Sequence, residues 1–152
     1  MGISASRALS ERVCFLEEYL KFLAFLQTQI SYSAAPLPSL LEKYSDTRVL
    51  GTFVSACLSG LNERHTFSQS WSEAIKESAK SFGLKKEEVH LICDFGSALG
   101  GSDVAGQISH CELNKQLVGT YLERAREEKT RKSKLYLMLG VCAGVAAALI
   151  CC

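Results

Sequence analysis

The chain has 152 residues, the usual length of a single domain, and 47% of them are hydrophobic. Its formal net charge of +1 gives no electrostatic reason to expect a nucleic acid or an acidic substrate as partner. The seven cysteines include no C-x-x-C pair, so a disulfide framework is not indicated, and free thiols fit a reducing compartment.

The first predicted element is an amphipathic helix over residues 7–32. Apolar residues recur in it at alternating steps of four and three, and only Gln27 interrupts the series. The members of this seam are Leu9, Val13, Leu16, Leu20, Leu23 and Ile30. Pro36 and Pro38 end the helix, because proline lacks a backbone donor and disfavours helical geometry in the residue before it.

Three further helices are expected before residue 84. A short one starts near Pro38, and another lies within TRVLGTFVSACLSGL. The third lies within SWSEAIKESAKSFG, where Ser70 and Glu73 match a capping box and Gly83 is placed as the C-cap. Trp71 is predicted to anchor the core, and a partner-binding tryptophan is the less favoured alternative.

The stretch GSALGGSD, residues 96–103, resembles the start of a phosphate-binding loop. Gly96 and Gly101 have the required spacing, but Ser102 occupies the position of the essential lysine. Residues 87–99 also have helical periodicity, whereas such a loop follows a strand. Nucleotide binding is therefore not predicted.

The same stretch is interpreted as a corner between two helices. Gly100 or Gly101 would supply the left-handed residue that ends the first helix, and Ser102 or Asp103 would cap the second. Gln107 is four residues after Asp103, so the two share a helical face. Two roles stay open for them: stabilising the corner, which is favoured, or contacting a partner.

No residue pattern predicts catalysis, a metal or a cofactor. His90 with Cys93, and His110 with Cys111, are the pairs from which a zinc site could be imagined, but scattered pairs of this kind are usually core residues. No nucleophile and base occur at a recognisable spacing. We therefore expect neither an enzyme nor a small-molecule substrate.

From Asp103 the chain is predicted to form one long helix to its end. Residues 135–152 carry no charge and span about 27 Å as a helix, which is long enough to cross a membrane. Four basic residues precede them: Lys129, Arg131, Lys132 and Lys134. The positive-inside rule then leaves residues 1–134 in the cytoplasm. Gly140 and Gly144 form a G-x-x-x-G pair suited to packing between membrane helices.

These elements predict an all-α protein: a helical-bundle cytoplasmic domain, residues 1–134, with a C-terminal transmembrane helix, residues 135–152. Without further information, a tail-anchored adaptor in signalling or trafficking would fit this organisation equally well.

Four features in order, QISYSAAPL, SWSEAI, FGSALGGSDVAGQ and the apolar tail, resemble the stage III sporulation protein AB family of endospore-forming bacteria. The most specific part is the L-G-x-x-D-x-x-x-Q corner, here Leu99, Gly100, Asp103 and Gln107. The resemblance implies a membrane protein whose helical cytoplasmic domain is similar to the platform protein of type II secretion and type IV pilus systems. It also implies a place in the apparatus that joins mother cell and forespore, with a secretion-type ATPase as companion.

The chain departs from the family pattern at two places. Gln29 stands where the family usually has glutamate. The family also begins with an apolar membrane helix, and this chain starts close to where that helix should end. We therefore expect the natural protein to begin upstream of Met1 with a second spanning helix.

Overall fold

The computed structural model describes residues 2–33, 35–99 and 101–152. Within these residues the backbone forms six helices and no strand, which confirms the predicted all-α fold. The helices are α1 (Gly2–Tyr32), α2 (Leu37–Glu42), α3 (Leu50–Asn62), α4 (Phe67–Phe82), α5 (Lys86–Ala98) and α6 (Val104–Cys151). Each predicted helix is present, and α6 continues without a break across residues 134 and 135.

The two longest helices, α1 and α6, run antiparallel along one another. Gln27 contacts Glu112, whereas Arg12, near the other end of α1, contacts Glu128. Most of the predicted seam of α1 is buried, although Leu20 and Ile30 are only half-buried. The buried residues of α6 recur at steps of three or four: Cys111, Asn114, Val118, Leu122 and Ala125. This spacing gives α6 one continuous face toward the bundle.

Trp71 lies at the centre of an aromatic core and is completely buried, as predicted for an anchor. Its ring centroid is 4.8 Å from that of Phe53 in an edge-on arrangement and 6.0 Å from that of Phe95. The indole Nε1 donates a 2.7 Å hydrogen bond to the carbonyl oxygen of Ile92, so the polar atom is also satisfied. Trp71 thereby joins α4 to α3 and α5.

Gly96 is part of this core, which corrects its predicted place in the corner. It lies inside α5, and a Cβ at this position would be only 2.1 Å from Cδ1 of Trp71. The indole therefore packs directly on the α5 backbone. Because Gly96 is helical and covered by the Trp71 indole, it is not part of a phosphate-binding loop.

The predicted capping box at Ser70 and Glu73 is wrong. The N-cap of α4 is Thr66, whose hydroxyl accepts from the backbone of Gln69, while the Gln69 side chain accepts from the backbone of Thr66. Ser70 is buried one turn inside the helix, where it packs on Gly60 of α3. The helix begins earlier because Phe67 packs its ring on Trp71.

The predicted helix ends around the prolines and Gly83 agree with the structure. α1 ends at Tyr32, and Pro36 is the N-cap of α2. Gly83 ends α4 in the left-handed region, with φ of 66°, which glycine adopts without steric cost. These bounds depend on local backbone sterics.

Candidate functional site

The corner between α5 and α6 is closed by Asp103. Its backbone is extended, and its Oδ1 accepts a 2.9 Å hydrogen bond from the backbone nitrogen of Gly106. Asp103 is therefore the N-cap of α6, in the geometry expected for an aspartate at this position. Its carboxylate is exposed and lies beside the positive end of the helix dipole.

Gln107 ties the first turn of α6 back to the corner. Its side-chain Nε2 donates a 2.9 Å hydrogen bond to the carbonyl oxygen of Ser102, and its backbone nitrogen donates to the carbonyl of Asp103. The side chains of Asp103 and Gln107 thus each form a hydrogen bond with a backbone atom no more than five residues away. The contacts favour a structural role, while a role in partner binding stays a prediction.

The left-handed residue predicted at Gly100 or Gly101 stays a prediction. The backbone nitrogen of Gly101 donates to the carbonyl oxygen of Ala98. Gly100 lies outside the described residues. Sequence reasoning missed Gly106, where the backbone comes close to the Asp103 side chain. A Cβ there would be 2.8 Å from Oδ1 of Asp103. The sequence signal was its place three residues after the cap.

A buried ion pair that was not predicted joins α1 to α5. Arg12 is 3% exposed, and its guanidinium donates to both carboxylate oxygens of Glu88, with Nε to Oε1 and Oε2 distances of 2.9 and 3.1 Å. The Nη1 atom of Arg12 donates to Oε2 of Glu128 on α6 at 2.9 Å. One side chain therefore holds three helices together. The sequence signal was an arginine inside the apolar seam, between Leu9 and Leu16.

Glu128 extends this cluster toward the basic segment that precedes the apolar tail. It also accepts from Lys85 at 3.2 Å and lies 3.6 Å from Lys132. Burial opposes the charged form of Glu128, but hydrogen bonds from Lys85 and Arg12 outweigh it, so its pKa lies below the usual value. The carboxylate is therefore charged at neutral pH and links the body to the base of the apolar segment.

A second long-range contact caps α3. Oε2 of Glu18, on α1, accepts from the backbone nitrogen of Leu50 at 2.7 Å and from that of Val49 at 3.2 Å. A carboxylate at this end of a helix also favours its dipole. Glu18 was not predicted as a cap, because it is distant in sequence from the helix that it caps.

Among the described residues, the two buried thiols and two of the histidines have surroundings that fit a structural role. Burial raises the pKa of Cys57 and of Cys111 to about 11, so both are protonated at neutral pH and are poor nucleophiles. His90 faces Asp94 at 3.5 Å, and the ring of His110 stacks on Phe95. In the described part of the chain, no three histidine, cysteine or acidic side chains gather as they would around a metal ion.

The last part of α6 is apolar, long enough to cross a membrane, and exposed. Every residue from 135 to 152 is exposed, including Leu137 at 69% and Leu149 at 75%. Among the described residues, α6 is the helix whose length and composition suit a membrane span. Neither Gly140 nor Gly144 has another part of the chain within 4 Å of a Cβ built on it, so the helix face that they share is open for packing.

A closed helical body continuous with an exposed apolar helix defines an all-α protein with a candidate C-terminal membrane span. The chain belongs to the stage III sporulation protein AB family, whose family model matches residues 1–152. This confirms the resemblance seen in the sequence.

Two relatives extend this comparison. The chain is 22% identical over 152 residues to Stage III sporulation protein AB of Bacillus subtilis (strain 168), a match that covers 98% of this chain and 89% of the relative. It is also similar to a solved structure of Stage III sporulation protein AB (SpoIIIAB), with a TM-score of 0.71 and 22% identity. That match covers 80% of this chain and 98% of the solved one, and it shows a shared fold.

Proposed function

We propose that the protein is a non-enzymatic, membrane-anchored assembly component of the secretion-like apparatus between mother cell and forespore. One observation carries the proposal: α6 begins in the packed body and ends as an uncharged, exposed helix without a break. A rigid helix of this kind suits a part that holds a body at a membrane surface. Membership in the family supplies the sporulation context.

The proposed location is the mother-cell membrane, with residues 1–134 as the cytoplasmic domain and residues 135–152 in the bilayer. Four basic residues directly before the apolar segment support this orientation: Lys129, Arg131, Lys132 and Lys134. Their side chains would lie at the level of the lipid headgroups, where positive charge is favoured on the cytoplasmic side.

In this proposal the cytoplasmic domain, residues 1–134, binds other apparatus proteins, as a platform protein does in type II secretion. Nucleotide hydrolysis would belong to a secretion-type ATPase partner, since Gly96 is covered by Trp71 and Ser102 replaces the essential lysine. The corner at Asp103 and Gln107 would shape the body, and partners would bind a separate helical surface. No cofactor, small molecule or nucleic acid is required for this role.

Gly140 and Gly144 are proposed to pack against another membrane helix. Their spacing places them one turn apart on the same face, where a missing side chain lets two backbones approach closely. Substituting both by isoleucine should therefore lower crosslinking between membrane helices without releasing the protein from the membrane.

Membrane anchoring is tested by fractionating sporulating cells that express the full chain. We expect the protein in the membrane fraction after carbonate extraction, and the variant Leu139→Arg with Val145→Arg in the soluble fraction. The matched control is Leu113→Arg with Leu117→Arg, which places the same charges on exposed apolar positions of the body. Recovery of the unaltered chain in the soluble fraction would contradict the anchor.

Orientation and role need two further measurements. A reporter fused after Cys152 should be active on the outer side of the mother-cell membrane and silent in the cytoplasm. In cells that lack their own stage III sporulation protein AB, the tagged chain should restore spores and copurify with the ATPase. Spore formation restored equally well by the soluble arginine variant would contradict an assembly role at the membrane.

A further inference from the structure

A groove of about 640 Å³ runs along the outer side of α4 and α5. Its lining comes from these two helices and their connection, from Ser72 to Ser97. The inner faces of the same helices are occupied by the core, where Trp71 packs on Gly96. The outer faces of the two helices border a furrow about 12 to 17 Å long, or roughly two to three helical turns.

The floor of the groove is apolar. Ala79 of α4, Leu84 of the connection, and Val89 and Cys93 of α5 lie along it, and all four are partly exposed. The positions on α5 are four residues apart, so they form a continuous strip. Such a strip suits apolar side chains that recur at the same spacing on another helix.

The rim of the groove has a net positive charge, with three lysines against one carboxylate, that of Asp94. Lys76 and Lys80 lie one turn apart on α4, and Lys86 lies opposite on α5. All three are exposed, and within the described residues none takes part in an ion pair, whereas Lys85, a direct neighbour of Lys86, is paired with Glu128. The groove therefore keeps unpaired positive charge beside its apolar floor.

The shape of the groove favours a macromolecule over a small ligand. His90 and Asp94, which lie on its α5 edge, have side chains that are 82% and 66% exposed, and Nε2 of His90 is 3.5 Å from Oδ2 of Asp94. A site for a small molecule encloses most of its ligand, and these open walls cannot.

We infer that the α4–α5 groove binds an acidic amphipathic helix of a partner protein. Its apolar face would lie on Val89 and Cys93, and its acidic flank would meet Lys76, Lys80 and Lys86. The charge of the rim selects this partner, because an opposite charge next to a buried apolar strip raises association rate and specificity. The inference rests on the proposed function, since it names the surface and the chemistry of the partner that the body binds.

The test uses the full chain in nanodiscs of neutral lipid and two synthetic helices of about 14 residues. Both helices carry leucine at i, i+4 and i+7; one has glutamate on the flanks and the other lysine. We expect the glutamate helix to bind about tenfold more tightly, and Lys76→Glu with Lys80→Glu to remove that preference. The matched control, Lys21→Glu with Arg48→Glu, changes the net charge equally but lies outside the groove.

Equal binding of the two helices overturns the inference, and so does an equal loss in the control variant. A third arm measures binding to vesicles of phosphatidylglycerol. If Lys76→Glu with Lys80→Glu weakens only vesicle binding, the groove faces a membrane and the inference is wrong. None of these outcomes changes fractionation or spore formation by the unaltered chain, so failure here is distinct from failure of the proposed function.

Discussion

Arg12 of α1 and Glu88 of α5 form a doubly hydrogen-bonded ion pair in the interior, 76 positions apart in sequence. The two side chains are 4% and 1% exposed. A buried charge without its partner is strongly unfavourable, so the pair makes the packing of α5 on α1 specific. Because Arg12 also reaches Glu128, the same pair fixes the base of the helix that carries the apolar tail.

Replacing Arg12 by methionine should lower the free energy of unfolding by about 3–5 kcal/mol, because it leaves Glu88 charged and buried. The double variant Arg12→Met with Glu88→Met should recover part of this loss. Trp71, the single tryptophan of the chain, reports unfolding of the body by fluorescence in a urea titration. The control is Arg126→Met, which breaks an exposed pair with Glu17 and should have only a slight effect. Equal losses for Arg12→Met and Arg126→Met would contradict this assignment.

The pKa of Glu128 predicts how stability depends on pH. A carboxyl group whose pKa is lower in the folded state stabilises it above the unfolded pKa, about 4.3, and this contribution is lost as the pH falls through the folded pKa. Glu128→Gln should therefore destabilise the protein at pH 7, and its difference from wild type should shrink below about pH 4.3. Urea titrations from pH 7 to pH 3 measure this. Glu127→Gln, at an exposed neighbouring position, is the control, and a pH-independent difference for Glu128→Gln would exclude the proposed cause.

Gly96→Ala should destabilise the body by about 1–3 kcal/mol or more, because the new methyl group overlaps the indole of Trp71 and forces α4 away from α5. Gly119→Ala is the matched control, since a Cβ at that helical position meets nothing within 4 Å. Alanine there should be neutral or stabilise α6 by about 0.5–1 kcal/mol. Thermal unfolding followed by far-ultraviolet circular dichroism compares the two. Similar melting temperatures would show that α4 and α5 do not approach as closely as described.

Asp103→Ala should lower the free energy of unfolding by about 0.5–2 kcal/mol through loss of the α6 cap. Asp103→Asn should retain most of the stability, since asparagine caps a helix about as well as aspartate. Gln107→Ala removes a hydrogen bond to Ser102 and should cost about 1 kcal/mol or less, because the bond is exposed. Urea titrations of the three variants give these values.

Partner binding by the same variants distinguishes a structural corner from a binding site. If the corner acts through folding, copurification with the ATPase should weaken only as far as the folded fraction falls. A variant of Asp103 or Gln107 with normal stability and no copurification would make the corner a contact surface. The groove between α4 and α5 would then be a second surface, with its own test.

Several features that depend on residues close in sequence were predicted correctly, although the capping box at Ser70 and Glu73 was not. The period of apolar residues in α1, the left-handed end of α4 at Gly83 and the cap at Asp103 all follow from backbone sterics and hydrogen bonds within a few positions. The uncharged segment of residues 135–152 is likewise a property of composition alone. The family resemblance depended on the order of such segments, and the family match confirmed it.

Only tertiary packing decided the features that join distant segments. Thr66–Gln69 and Ser70–Glu73 have the same spacing, and the contact of Phe67 with Trp71 determines which of them begins α4. Gly96 belongs to the core instead of the corner because one indole lies on its backbone. An arginine in an apolar seam signals a buried charge, but Glu88 became its partner only when α5 folded against α1, since a desolvated charge is stable only beside the group that neutralises it.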